Sequence, residues 1–186
     1  ALPAIAGFDE LVKEGDTHDA RFEFDQALEC YLPAEKLQPE NAALLVRISR
    51  QYALRMNDLP AGNARVASGR KALEYAKRAV KAAPKSSDAH LSVAICLGKL
   101  TPFLGAREKV EASREIKQHA DQAVKLDPRS DLGWQVLGRW NQELANSGFA
   151  TRTLAKLVYG GLPDASNQRA VECFRKAMAL NPKRLV

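Results

Sequence analysis

Ala34-Glu-Lys-Leu-Gln-Pro39 returns three times along the chain, as Ala79-Val-Lys-Ala-Ala-Pro84, Ala123-Val-Lys-Leu-Asp-Pro128 and Ala177-Met-Ala-Leu-Asn-Pro182. In each phrase an alanine stands five residues before a proline. Proline has no amide hydrogen to give a helix and biases the residue before it away from helical torsion angles, so every phrase predicts a helix that stops just short of it. Seven residues before three of these alanines stands another, Ala27, Ala72 or Ala170, with Ile116 in the third copy. Seven residues is about two turns, so both small side chains share a face and let a neighbouring helix come close. Tyr31 and Phe174 fill the space between them in the first and last copies.

After the first three prolines comes a residue suited to cap a new helix, Asn41, Ser86 or Ser130, whose side-chain oxygen can accept the unpaired amides of the next first turn. Apolar residues at helical spacing follow, such as Leu45, Ile48 and Tyr52, or Trp134-x-x-Leu137-Gly138. This paired pattern resembles the tetratricopeptide repeat, a W-x2-L-G-x2-Y helix followed by an A-x3-F-x2-A-x4-P helix over ~34 residues. The resemblance implies an all-α fold, a tetratricopeptide-like α-α superhelix of stacked helical hairpins, right-handed, with at least eight helices and no sheet. One domain over 1–186 is expected, with repeats near 8–41, 42–86, 87–130 and 131–184. Successive prolines lie 45, 44 and 54 residues apart, so inserts between the paired helices are expected near 57–69, 99–112 and 145–166. The last of these has room for a helix from Phe149 to Tyr159, ended by Gly160-Gly161-Leu162-Pro163.

The inserts are more specific than the repeat. With Ala89-His90-Leu91, Ile116-Lys-Gln-His119-Ala-Asp121-Gln-Ala123, Leu137-Gly138-Arg139-Trp140 and Leu154-Ala-Lys-Leu157-Val-Tyr159, they make the chain from Phe8 onward similar to the regulator of microtubule dynamics family. That resemblance implies work near microtubules or in tethering organelle membranes, and a cytoplasmic or organelle-surface location. It also implies that relatives continue through a further helical pair beyond Val186, and that some are connected with lipid handling. Ala1-Leu2-Pro3-Ala4 has no initiating Met, so export is the expectation if a signal peptide preceded it.

Composition agrees with helices: 46% of residues are hydrophobic, only 6% are aromatic, and no alternating β-branched run reads as a strand. No apolar stretch reaches the ~20 residues that a membrane-spanning helix needs. The net charge of +6 concentrates between Arg65 and Arg129, a surface able to attract acidic partners such as tubulin tails, or else an ordinary solvated helix face. No nucleic-acid partner is expected.

Chemistry finds little footing in the sequence. Cys30, Cys96 and Cys173 are far apart with no C-x-x-C, and read as small buried hydrophobes. His18, His90 and His119 lack metal-ligand spacing, so no metal or other cofactor is expected, and His90 reads as a packed core residue at the tryptophan position of its repeat. Gly62 and Gly69-Arg70-Lys71 look like a phosphate loop, but the spacing is too long and no strand precedes them; the two glycines read as bounding an interhelical turn. Glu111 and Glu115 read as a helix surface beside basic neighbours. No nucleophile elbow or triad order stands out, so the chain reads as a non-enzyme that binds a partner in its groove.

In tetratricopeptide stacks the first helix of each pair lines the concave side. The register assigns to it Val12 and Asp16, Val46 and Arg50, Leu91 and Ile95, and Gln135 and Arg139. An apolar strip flanked by arginines suits an amphipathic acidic helix or peptide of a protein partner; the alternative is a phospholipid, with acyl chains on Val46, Leu91 and Ile95 and phosphate at Arg50 or Arg139. The third insert is expected to supply a lid helix, with Leu154, Leu157 and Val158 packed over this strip, or to lie on an anionic membrane surface.

Overall fold

The computed structural model describes residues 7–148, 156 and 164–183. Among them are eight α-helices, one short 3-10 turn and no strand: α1 (Phe8–Ala20), α2 (Phe24–Leu37), α3 (Ala42–Arg55), α4 (Asn63–Ala82), α5 (Ser87–Leu100), the turn Thr101–Phe103, α6 (Ala106–Leu126), α7 (Asp131–Ala145) and α8 (Asn167–Leu180). The helices pair in chain order as four hairpins. The chain divides into two compact units, Ala1–Pro84 and Lys85–Val186, each with two hairpins.

The four Ala-to-Pro phrases end their helices in one geometry. The residue before each proline, Gln38, Ala83, Asp127 or Asn181, leaves helical torsion angles, and its amide donates back to Ala34, Ala79, Ala123 or Ala177. Those alanines are buried, as are Ala27, Ala72, Ala170 and Ile116 two turns earlier. The caps also form as expected: Asn41 Oδ1 accepts from the Leu44 amide, and the Ser86 and Ser130 hydroxyl oxygens accept from Ala89 and Gly133. Ser166 does the same for α8, through Arg169.

Hairpin closeness rests on matched sizes. A methyl group added at Gly15 would lie 2.4 Å from the Tyr31 ring, and one at Gly138 would lie 2.6 Å from the Phe174 ring. Each glycine thus forms a notch on the first helix that an aromatic of the second helix occupies. Gly15 and Gly138 are each the eighth residue after an N-cap, Gly7 or Ser130. The same count in the middle hairpins reaches Ser49 and Ala94, and the positions matching the aromatics carry Ala76 and Ala120; all four are buried.

Two expectations are revised here. The inserts at 57–69 and 99–112 are not chiefly loops between helices, because half of each goes into extra turns: α4 starts at Asn63 and runs 20 residues, and α6 starts at Ala106 and runs 21. Gly69 does not bound a turn but lies buried inside α4, whereas Gly62 is its N-cap at φ 132°, a left-handed torsion that only glycine adopts without strain. In the first insert the Arg65 guanidinium donates to the Leu59 carbonyl, tying the short connection to the helix start.

Candidate functional site

In the first unit, the residues assigned to the concave face lie on α1 and α3, the first helices of its two hairpins. Val12 and Val46 are half-buried. Two ion pairs, one helical turn apart on both helices, bridge α1 and α3. Arg47 donates to both Asp16 oxygens, at 2.7 and 3.2 Å, while Arg50 Nη1 lies 2.8 Å from Asp19 Oδ2. Tyr31, fully buried, adds a 2.6 Å hydrogen bond from its hydroxyl to Asp16. Burial would raise the Asp16 pKa, but the bonds from Arg47 and Tyr31 and the charges of Arg47 and Arg50 outweigh it and hold it below its usual value. Arg50 is therefore already committed to a carboxylate.

The second unit holds an open concavity. A cavity of about 420 Å³ lies between α5 and α7, with Ile116 of α6 and Pro102 of the short turn closing it. Helical periodicity builds its walls: Ile95, Gly98 and Lys99 share one side of α5, and Leu132, Gln135, Val136, Arg139, Trp140 and Glu143 recur at three- and four-residue steps along α7. Trp140 forms part of the floor and is held there, since its indole Nε1 donates to the Ser113 carbonyl at 2.8 Å and to its hydroxyl at 3.1 Å. Burial pushes the Lys99 ammonium below its usual pKa, slightly opposed by the neighbouring Cys96. Arg139 and Glu143 are exposed at the rim.

Of the four residues that the register assigns to the groove in this unit, Ile95, Gln135 and Arg139 come together in the cavity. Leu91 does not; it is only 5% exposed and belongs to the core. The sequence reading missed Lys99, Leu132, Val136, Trp140 and Glu143. The spacing of Leu132, Val136 and Trp140 was a usable signal, since three large apolar residues four apart extend one stripe of α7. The lid residues Leu154, Leu157 and Val158 lie outside the described residues.

Other expected placements are clear. Cys30 and Cys96 are buried, while Cys173 is only half-buried. His90 is half-buried rather than enclosed and shares a 2.8 Å hydrogen bond, Nδ1 to Nδ1, with His119. Glu111 pairs with Arg107 at 3.2 Å on the surface of α6. Among the described residues no helix is long and apolar enough to cross a membrane.

Capped hairpins closed by small residues, with a lined concavity between first helices, define a tetratricopeptide-like helical-repeat scaffold. Solved structures agree on the fold: a thermophilic TPR protein of Thermus thermophilus superposes with a TM-score of 0.63 at 16% identity, covering 95% of this chain and 93% of that one. A MamA double mutant gives 0.59 at 18% identity, covering 94% and 75%.

The chain belongs to the regulator of microtubule dynamics family, since the family model described as Regulator of microtubule dynamics protein 1-3 matches residues 4–186. Regulator of microtubule dynamics protein 1 of Mus musculus is 31% identical over 111 residues, which is 60% of this chain and 36% of that protein. Regulator of microtubule dynamics protein 3 of Xenopus laevis is 26% identical over 174 residues, 94% of this chain and 36% of that protein. The chain thus spans about a third of the length of these relatives.

Proposed function

We propose that this chain is a non-catalytic interaction scaffold, and that the cavity between α5 and α7 takes an apolar anchor of an acidic protein segment. The observation that carries this reading is the cavity's make-up: an apolar floor of Ile95, Val136 and Trp140, with Lys99 and Arg139 as cations at its edge. Its volume falls within the roughly 300–1,000 Å³ of pockets that hold small ligands or an inserted side chain. An amphipathic helix seats such anchors at i, i+3 and i+4 and keeps its carboxylates outside, where Arg139 can meet them. Burial disfavours the Lys99 charge, so an arriving carboxylate gains more there than at a fully solvated lysine.

The names of the relatives put microtubules first among candidate partners, and tubulin's acidic tails would supply the carboxylates. The test is co-sedimentation with microtubules whose tails are intact or removed. Binding should need the tails, and Ile95→Glu or Arg139→Glu should each weaken it about tenfold, a loss of ~1.4 kcal/mol. If both variants sediment like the parent chain, the cavity is not the contact.

The same lining supports a second reading, in which an acyl chain lies on the floor and a phospholipid phosphate meets Arg139. Arg50 is poorly suited to that task because Asp19 already holds it. Native mass spectrometry separates the readings: a co-purifying phospholipid that disappears in Ile95→Glu would replace the peptide by a lipid.

A further inference from the structure

Within the first hairpin, Glu14 and His18 stand one turn apart on α1 and face Cys30 of α2. One ligand-capable atom from each lies within 4.8 Å of the other two. No sequence spacing marks this group, because the hairpin fold brings its third member from twelve residues away. The three supply a carboxylate oxygen, an imidazole nitrogen and a thiol sulfur, a mixed donor set that suits borderline-soft divalent ions such as Zn²⁺.

A neighbouring interaction organises the imidazole. Glu23 Oε2 sits 2.6 Å from His18 Nδ1, and with the proton on that nitrogen Nε2 is the lone-pair donor. A carboxylate behind a histidine is the usual support of a metal-bound imidazole. Phe22, at φ 61°, ends α1 in a Schellman cap: its amide bonds back to the Asp19 carbonyl and the Glu23 amide to the His18 carbonyl, both at 3.0 Å, and this turn brings Glu23 beside His18.

We propose that Glu14, His18 and Cys30 form a zinc-class divalent metal site, with a water in the fourth position, that fastens α1 to α2. On binding, the sulfur–metal bond forms as the thiol proton leaves to solvent, and no oxidation state changes. A divalent ion held by these three groups would favour the Cys30 thiolate. Cys30, 9% exposed, and His18, with a quarter of its side chain open, leave an ion both a path in and a protected seat.

Cobalt reports the site directly. The full chain, stripped with chelator, is titrated with Co²⁺ and followed by absorption; one equivalent should produce thiolate-to-cobalt charge transfer and tetrahedral d–d bands, which Zn²⁺ then abolishes. His18→Gln and Cys30→Ser should each remove the charge-transfer band, and Glu23→Gln should weaken binding roughly 10–100-fold while leaving the ligands in place. Cys30 touches the core, so far-UV circular dichroism accompanies that variant, and the more exposed His18→Gln decides the matter if Cys30→Ser loses helix. Absence of thiolate charge transfer in the parent chain overturns the proposal. So does a band that survives Cys30→Ser, because the metal would then sit on Cys96 or Cys173, or one that survives His18→Gln unchanged, because the imidazole would then not be a ligand.

Discussion

Asp16 serves three partners at once, the Tyr31 hydroxyl and two nitrogens of Arg47, and so joins the inner face of the first hairpin to α3. Asp16→Ala would strand the buried Tyr31 hydroxyl as well as release Arg47. Leaving such a group unsatisfied costs about 1–3 kcal/mol, and urea unfolding near neutral pH should show a loss of that size. The pH dependence has a definite sign. The folded Asp16 pKa lies below the ordinary aspartate value of about 3.9, so the unfolded chain binds this proton more readily. Its contribution is present above that value and is lost as pH falls through the lower, folded pKa. The gap between parent and Asp16→Ala should therefore narrow in strong acid.

The helix ends were legible in the sequence because proline acts on the backbone beside it, and the small-residue faces were legible because a two-turn spacing fixes a side. That reading carries a direct test. Ala79 and Ala123 are fully buried, and Ala79→Trp or Ala123→Trp should lower the melting temperature sharply, since overpacking typically costs ~1–3 kcal/mol and this is an extreme swap. Equal melting of the variants and the parent would mean that the faces are misplaced. The inserts were legible only as surplus length, for spacing between prolines does not say whether residues extend a helix or loop out. Leu91 was placed in the groove for a related reason. Four residues turn a helix by about 40° more than a full circle, so a stripe read in steps of four drifts, and one step takes Ile95 from the cavity to the core at Leu91. Trp140 and Lys99 escaped because the walls of a cavity depend on how two helices approach, which no single helix encodes.

For the molecule as a whole, the net charge of +6 sets how it meets an acidic surface at a distance. Screening lengths shorten from about 10 Å at 0.1 M salt to about 3 Å at 1 M, so association with tail-bearing microtubules should slow as salt rises. Stopped-flow mixing at two ionic strengths checks this; a rate unchanged by salt would assign recognition to the apolar floor alone. The notch that Gly15 offers Tyr31, and Gly138 offers Phe174, has a consequence for descent. Because one filled volume is shared by two positions, the glycine cannot gain a side chain alone: a lineage that puts alanine at 15 must first, or at once, trim the ring at 31. The middle hairpins carry the other answer, Ser49 with Ala76 and Ala94 with Ala120. Two versions of one lock thus stand side by side in a single chain, and stepwise passage from one to the other avoids a clash only through a gap, glycine facing alanine.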